Sequence, residues 1–290
     1  MIRKIDSHQH FWHFDSKAFP WIGPGMAVLA QDRGPDDYAP AMQACGVSGS
    51  IAVQARTEAA ETDYLLDLAA RHASIVGVVG WVDLADDTLQ AQLEAWSQQP
   101  KLRGFRHILQ DEPDVAQVVN NPAFRRGVAV LQRQQLVYDV LVFAHQMPLV
   151  IDFCRTHDAH WLVLDHLGKP PLKHPEQMPL WVQSLKALAA LPHVVCKLSG
   201  LVTETAWPYP GGGLPGTVQQ SLWDCFDQAL DAFGPERLLF GSDWPVCELA
   251  APYPTVDLLA HTWASQRLSV TEQTAFWAGN AIRYYQLPIS

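Results

Sequence analysis

Several features that would place a chain outside the ordinary globular proteins are scarce or absent here. Only five of the 290 residues are cysteine, an odd number spread along the chain without a C-x-x-C pair. This argues against a disulfide framework and against a cysteine-based zinc site. No apolar run approaches the length of about 18 residues that a membrane span needs, and the opening residues Met1–Asp6 lack the apolar region of a signal peptide. These absences predict a cytoplasmic protein with no membrane partner.

Charge is low and mostly of one sign. Charged residues make up 17% of the chain, and 30 acidic against 20 basic residues give a formal net charge of −10. No lysine- or arginine-rich run is present, which argues against a nucleic-acid partner because phosphate binding needs clustered cations. With 48% apolar residues the chain is not of the disordered class. No break in composition marks a domain boundary, so residues 1–290 are expected to form one domain.

Eight short apolar runs recur along the chain, rich in Val, Ile and Leu and without clean polar alternation. Strands that are buried on both faces of a parallel sheet have this pattern. The eight predicted strands are Arg3–His10, Gly49–Gln54, Ile75–Val82, Arg103–Leu109, Leu136–Val142, Trp161–His166, Val194–Ser199 and Leu238–Asp243.

Segments with helical spacing of apolar residues follow the runs. They are Asp36–Cys45, Glu58–His72, Leu84–Ser97, Pro122–Gln135, Gln146–His157, Leu180–Leu191, Thr217–Phe233 and Thr255–Ser265. A strand followed by a helix, eight times over, predicts an α/β protein with a single (β/α)8 TIM barrel. Thr271–Tyr285 is predicted to be an additional C-terminal helix that packs on the barrel.

Two long insertions are rich in Trp, Pro and Gly. Phe11–Pro35 follows the first predicted strand and Gly200–Gly216 follows the seventh. Both come after strand C-termini, which form the catalytic face of such a barrel. We expect these loops to contact substrate, for instance through Trp21; the alternative is that their Trp and Pro residues only anchor the loops.

Polar residues stand at the ends of three predicted strands. The first contains Asp6, His8 and His10, which share one face because a strand has a period of two, and the two histidines could chelate one divalent ion. The last ends in Asp243, which is costly to bury unless it is paired or functional; a turn residue is the alternative. The sixth ends in His166, which parity places on the face of Leu164; a buried core histidine is the alternative there.

Three segments together resemble the amidohydrolase superfamily, and within it the branch that hydrolyses sugar lactones and pyrone dicarboxylate lactones. They are Asp6–Trp12, Val163–Pro170 and Phe240–Pro245. The resemblance implies a barrel of amidohydrolase type. It also implies His8, His10, His166 and Asp243 as metal ligands, Asp243 as the general base, and catalytic roles for His10 and His166.

The chain departs from the superfamily pattern at the fourth and fifth strands. Arg103–His107 contains no lysine or glutamate to bridge two metals, and Val137–Val142 contains no histidine. We therefore expect one divalent metal, with zinc the first candidate, or no required metal.

Further polar and aromatic residues near strand ends are candidates for binding the substrate. Arg106 and His107 are adjacent, so only one of them can point inward, and parity does not decide which. Lys197 has a structural ion pair as its alternative. The predicted substrate-binding residues are Trp21, Gln54, Trp81, Arg106, His107, Lys197 and Trp244.

Arginines bear on the charge of the substrate. Of thirteen arginines, only Arg56 and Arg106 lie at or just past a predicted strand end, whereas a dicarboxylate favours several bidentate guanidinium groups. We expect a neutral aldono-1,4- or 1,5-lactone, with L-fuconolactone or a close relative implied by the resemblance. The alternatives are a metal-dependent decarboxylase or another amidohydrolase, and a sugar-binding barrel without catalysis. The sequence makes no prediction of oligomeric state.

Overall fold

A computed structural model describes residues 3–58, 60–207, 209 and 213–288. Part of the second predicted insertion, Pro208 and residues 210–212, lies outside the described residues, as does Ala59 of the second predicted helix.

Eight parallel strands form one sheet in the order β1 to β8. They are β1 Lys4–Gln9, β2 Val47–Val53, β3 Ile75–Gly80, β4 Leu102–His107, β5 Val137–Val140, β6 Leu162–Leu164, β7 Val194–Leu198 and β8 Leu238–Phe240. The barrel closes beyond β8, where the amide of His10 donates to the carbonyl of Trp244 at 2.7 Å and the amide of Asp243 donates to the carbonyl of His8 at 2.8 Å. The predicted (β/α)8 barrel is confirmed.

Helices follow the strands around the barrel. They are α1 Pro35–Cys45, α2 Ala60–Arg71, α3 Leu89–Ala95, α4 Val115–Asn120, α5 Pro122–Arg133, α6 Met147–Thr156, α7 Met178–Ala189, α8 Gly216–Phe233, α9 Tyr253–Arg267, α10 Val270–Thr274 and α11 Asn280–Tyr284. A π-helical stretch, Ala275–Gly279, joins α10 to α11. The predicted C-terminal helix is therefore present. None of the described helices is long and apolar enough to cross a membrane.

Two layers of apolar side chains hold the strands in place. On β6, Val163 belongs to the inner cluster with residues such as Ile51 and Leu239, whereas Leu162 and Leu164 belong to the outer cluster that packs against the helices. Both faces of the sheet are thus buried, as in other parallel barrels. This explains why the strands read as continuous apolar runs.

The loop after β1, residues 10–34, has its own apolar cluster of buried residues, which includes Trp12, Phe19 and Leu29. The backbones of Trp12 and Arg33 exchange two 2.9 Å hydrogen bonds, and Arg33 forms a 2.8 Å ion pair with Glu248 beyond β8. The loop is therefore fastened to the barrel mouth as a fixed wall.

Candidate active site

The end of β1 carries two histidines into the barrel mouth. The pairing of β1 with β2 is irregular between Asp6 and Gln9, and this irregularity breaks the simple alternation of side chains. Asp6 points outward, where it accepts hydrogen bonds from the hydroxyls of Tyr38 at 2.6 Å and Tyr253 at 3.1 Å. The prediction that Asp6 shares the face of His8 and His10 is therefore wrong. The rings of His8 and His10 meet edge to face, with centroids 4.9 Å apart.

β6 ends in a left-handed turn, His166–Lys169. The φ values of His166, Leu167, Gly168 and Lys169 lie between 51° and 65°, a region that costs non-glycine residues roughly 1–2 kcal/mol each. Parity placed His166 on the face of Leu164, opposite Asp165, but that face packs against the helices. Asp165 instead points inward, and the positive φ of His166 brings its ring to the cavity. The parity argument for His166 is therefore corrected.

Neighbouring elements hold the left-handed turn in its strained form. The indole of Trp181 on α7 donates to the carbonyl of Leu167 at 2.8 Å, and Nδ1 of His166 lies 2.8 Å from the hydroxyl of Ser199. Gly200 has to be glycine, because its φ is +65° and a Cβ there would collide with the His166 ring. Strain that is held by several contacts at once is typical of functional sites.

Three imidazoles converge on one carboxylate oxygen. Oδ1 of Asp243 lies 3.2 Å from Nε2 of His10, 3.8 Å from Nε2 of His8 and 4.0 Å from Nε2 of His166. Asp243 has a φ of +61°, which turns its side chain toward the histidines. No described residue hydrogen-bonds to its other oxygen, Oδ2. The predicted residues His8, His10, His166 and Asp243 thus lie together; His10, His166 and Asp243 line one cavity, and the fully buried His8 lies behind them.

Three of these residues, His8, His10 and Asp243, each offer a ligand atom within 4.8 Å of the others and could hold a divalent metal ion. Nδ1 of His10 donates to the carbonyl of Val53 at 2.8 Å, so Nε2 of a neutral His10 has a lone pair that faces a carboxylate oxygen, and a proton or a cation must lie between them. Metal-bound histidines commonly anchor their second ring nitrogen in this way, and three imidazoles with a carboxylate suit zinc. Nε2 of His8 is engaged differently, since it accepts a 3.2 Å hydrogen bond from Nη1 of Arg106.

A network of buried charges lies beneath the histidines. Nζ of Lys197 is 2.6 Å from Asp139 and 3.0 Å from Asp165, and the side chains of all three residues are fully buried. Asp165 also accepts a 3.0 Å hydrogen bond from Arg106, and Asp139 accepts one of 2.8 Å from the hydroxyl of Tyr285. Two cations thus balance two carboxylates inside the barrel.

Burial and charge shift the pKa values of these groups. Burial raises the pKa of Asp139 to about 6 although Lys197 opposes it. Burial also acts to raise the pKa of Asp165, but Lys197 and His8 outweigh it and hold this pKa well below its usual value.

Burial also shifts the pKa values of the groups at the cavity floor. Burial lowers the pKa of His8 well below its usual value and that of His166 to about 4. Burial acts to raise the pKa of Asp243, but the interaction with His166 and the hydrogen bond from His10 lower it below its usual value. At neutral pH we therefore expect an ionised Asp243 beside neutral rings of His8 and His166.

A cavity of about 260 Å³ opens above this floor. One part of its wall is apolar and includes Trp21, Met26, Ile108, Leu141 and Leu249. The polar part includes Arg106, Asp111, His166, Lys169, Glu204 and Asp243. A small molecule with one apolar and one hydroxyl-bearing side fits such a lining.

The structure brings two of the seven predicted substrate-binding residues, Arg106 and Trp21, to the cavity wall. Of the adjacent pair on β4, Arg106 points into the barrel, while His107 points outward and lies 2.6 Å from Glu112. Gln54 lies behind the wall, where its side chain accepts hydrogen bonds from Arg106 at 3.1 and 2.8 Å. Lys197 lies below His8 in the buried network.

Trp81 and Trp244 are not among the described residues that line the cavity. The Trp244 ring packs against Tyr38, with centroids 4.9 Å apart, and its indole donates to Glu248 at 3.0 Å. His107 and Trp244 thus lie away from the predicted contact with substrate, because their contacts are with Glu112 and with Tyr38 and Glu248. The indole nitrogen of Trp81 is buried and has no hydrogen-bond partner among the described residues.

Sequence reasoning missed several residues of the site. Asp165 lies within a motif that was noticed, but parity assigned it to the wrong face. Asp139 and Tyr285 lie in predicted elements that carried no chemical signal. Lys169 and Glu204 lie in loops, where no periodic pattern shows which side chains meet.

Comparison with known proteins identifies the family. A family model described as amidohydrolase matches residues 5–287. An L-fucono-1,5-lactonase of Burkholderia multivorans is 53% identical over 98% of this chain and 96% of its own length. An L-fucono-1,5-lactonase of Burkholderia ambifaria is 32% identical over 99% and 97%.

A crystal structure of an amidohydrolase from Burkholderia multivorans with bound zinc is 54% identical and covers 99% of this chain and 100% of its own, with a TM-score of 0.95. These matches extend over nearly the whole length of each chain and confirm the resemblance that the three motifs predicted. The chain therefore belongs to the amidohydrolase family.

Proposed function

We propose that the protein hydrolyses a neutral sugar lactone, L-fucono-1,5-lactone or a close relative, to the free aldonic acid. The observation that carries this proposal is the convergence of His8, His10 and His166 on an ionised Asp243 at the floor of the cavity. Two relatives that match nearly the full chain are L-fucono-1,5-lactonases, and this supports the choice of substrate.

The charges of the cavity favour a neutral substrate over a dicarboxylate. Its wall includes three carboxylates, Asp111, Glu204 and Asp243, against two permanent cations, Arg106 and Lys169. A doubly anionic pyrone would meet net repulsion here, since like charges in a site of low dielectric repel strongly. L-Fuconolactone is uncharged and carries a methyl group where galactonolactone has a hydroxymethyl group. The apolar part of the wall suits that methyl group.

Asp243 is placed to accept the proton of the attacking water. It stays ionised over the neutral range because its pKa is lowered, and its Oδ2 has no described partner. Water adds to the lactone carbonyl, its proton passes to Asp243, the ring C–O bond breaks, and the proton returns to the leaving hydroxyl. Such positioned base catalysis contributes about 10²–10⁴-fold.

Arg106 is the candidate cation that stabilises the developing oxyanion through its charge, because its five N–H groups already donate to Gln54, Asp165 and His8. Gln54 and Asp165 hold its guanidinium in a fixed orientation at the cavity wall. A fixed charge near the point where negative charge develops stabilises the transition state.

A divalent ion would be held by His8, His10 and Asp243, provided that His8 exchanges its contact with Arg106, and His166 is a further candidate ligand. The zinc-bound neighbour supports zinc as that ion. When bound, the ion would supply Lewis-acid polarisation of the carbonyl.

The test is a pH-indicator assay on L-fucono-, L-galactono- and D-arabinonolactones and a pyrone dicarboxylate. We expect turnover of the neutral lactones, with L-fuconolactone preferred over L-galactonolactone by at most about 10²-fold, because an apolar pocket rejects an added hydroxyl only weakly. Asp243→Asn should lower kcat by about 10²–10⁴-fold, while the control Asp152→Asn, at an exposed site on α6, should leave kcat unchanged. Absence of turnover on every lactone would refute the proposal.

Chelation before the assay separates the roles of the cavity floor. If activity survives, Asp243 works as a base without a metal; if it is lost and zinc restores it, the histidines and Asp243 also serve as ligands. Zinc-restored release of CO₂ from an aromatic acid, without lactone turnover, would instead favour a decarboxylase.

A further inference from the structure

Two charged side chains of the cavity wall have no part in the reaction described above. Nζ of Lys169 lies 3.8 Å from Oε1 of Glu204, and their side chains are only 17% and 21% exposed. Neither side chain donates or accepts a hydrogen bond among the described residues at ordinary distances. Charges buried to this extent normally gain closer partners, so both have unused hydrogen-bonding capacity directed at the cavity.

The backbone holds Lys169 in this position at an energetic cost. Lys169 is the last residue of the left-handed turn and has a φ of +51°, and it follows His166 by three residues. Both side chains line the cavity. The same strained turn therefore presents His166 and Lys169 to the same cavity.

Lys169 and Glu204 come from separate loops, and other contacts restrict both. Nζ of Lys169 lies 5.0 Å from the centre of the Phe143 ring, which limits the freedom of the lysine. Glu204 ends the short 3-10 turn Val202–Glu204 after β7. Burial raises the pKa of Glu204, although Lys169 opposes it. A buried carboxylate of this kind gains from a donor that a ligand supplies.

We propose that Lys169 and Glu204 form a hydroxyl subsite, in which one ring hydroxyl of the lactone accepts a hydrogen bond from Lys169 and donates one to Glu204. A separation of 3.8 Å between the two charged atoms allows an oxygen to lie about 2.8 Å from each of them. A hydroxyl group is suited to this position because it donates and accepts at once. The hydroxyl subsite would determine which sugar lactones are accepted, and it rests on the proposed lactone hydrolysis.

The test combines variants with substrates that lack one hydroxyl. The parent lactone of the wild-type panel is compared with analogues that lack the ring hydroxyl at C2, C3 or C4. For the wild type, loss of one particular hydroxyl should lower kcat/KM by about 10- to 100-fold, the effect of one hydrogen bond to a charged group. Glu204→Gln and Lys169→Met should lose a similar factor on the parent lactone and little more on that one analogue.

Controls separate this specific role from a structural one. Arg155→Met, at an exposed residue of α6, should behave as the wild type on every substrate, and Lys169→Arg should keep part of the discrimination. Thermal unfolding checks that each variant folds; should Glu204→Gln not fold, Lys169→Met and Lys169→Arg still decide the matter.

The outcomes distinguish the two proposals. If the wild type hydrolyses lactones but both variants lose the same factor on every substrate, or lose nothing, the hydroxyl subsite is refuted while lactone hydrolysis stands. If the wild type hydrolyses no lactone, lactone hydrolysis is refuted and the hydroxyl subsite fails with it.

Discussion

Replacing Lys197 with methionine tests the balance of buried charges under the histidines. The Lys197 side chain is fully buried, and its Nζ is 2.6 Å from Asp139 and 3.0 Å from Asp165. Methionine has a similar length and no charge, so the barrel stays filled while the two carboxylates keep only Arg106 as a counter-charge. Breaking a buried ion pair by removing one partner destabilises a protein by about 3–5 kcal/mol. We expect a loss of this size in the free energy of unfolding at pH 8.

The loss should shrink at lower pH. The pKa of Asp139 is already raised to about 6 by burial, against which Lys197 acts, so removing Lys197 raises this pKa further. A carboxyl whose pKa is raised in the folded state binds its proton more readily there than in the unfolded chain, so the stability of the variant falls as pH rises through that pKa. The deficit relative to the wild type should therefore be smaller at pH 5 than at pH 8.

Thermal unfolding followed by circular dichroism at both pH values checks this prediction. A deficit of 3 kcal/mol lowers Tm by roughly 6 °C or more in a domain of this size. Lys186→Met, at an exposed position on α7, makes the same chemical change outside the network and should leave Tm within about 1 °C, the behaviour of an ordinary surface substitution. A Lys197→Met protein as stable as the wild type at pH 8 would refute the charge balance.

Three further substitutions probe the supports of the site. Gly200→Ala forces a Cβ against His166, so kcat/KM should fall about 10²-fold in steady-state assays with about 1–2 kcal/mol of lost stability; unchanged kcat/KM would contradict the close contact. Tyr285→Phe removes a hydrogen bond to Asp139 and should cost about 1–3 kcal/mol in denaturant unfolding. Trp181→Phe removes the hydrogen bond that holds the left-handed turn. We expect kcat to fall while Tm changes little, and a fall in kcat that is matched by an equivalent loss of stability would refute that role.

The repeating elements could be predicted from the sequence because each strand is buried on both faces. Continuous apolar runs and the helices between them follow from that burial, and eight strands with eight following helices leave a barrel as the natural arrangement. The positions of His8, His10 and Asp243 followed in turn, since all three stand where predicted strands end. The three motifs that indicate the family could be recognised for the same reason, because they also lie at the ends of predicted strands.

Side-chain directions failed where the backbone departs from regular geometry. The irregularity in β1 turned Asp6 away from His8, and a left-handed turn replaced the expected end of β6. Neither feature has a strong signal in local composition. In the left-handed turn, for example, most residues are not glycine. Interactions between distant loops, such as that of Lys169 with Glu204, depend on the closed barrel and lie beyond any period in the sequence.

The hydrogen bond between Tyr285 and Asp139 also bears on synthesis of the chain, which proceeds from the N-terminus. Asp139 is followed by Lys197 after 58 residues and by Tyr285 after 146 residues. At about 5–20 residues per second, the tyrosine emerges from the ribosome roughly 7–29 s after the carboxylate it contacts. For seconds, Asp139 in the nascent barrel therefore lacks first its charge partner Lys197 and then its hydrogen-bond donor Tyr285. Lactone hydrolysis by a nascent chain would report that the last helix has docked.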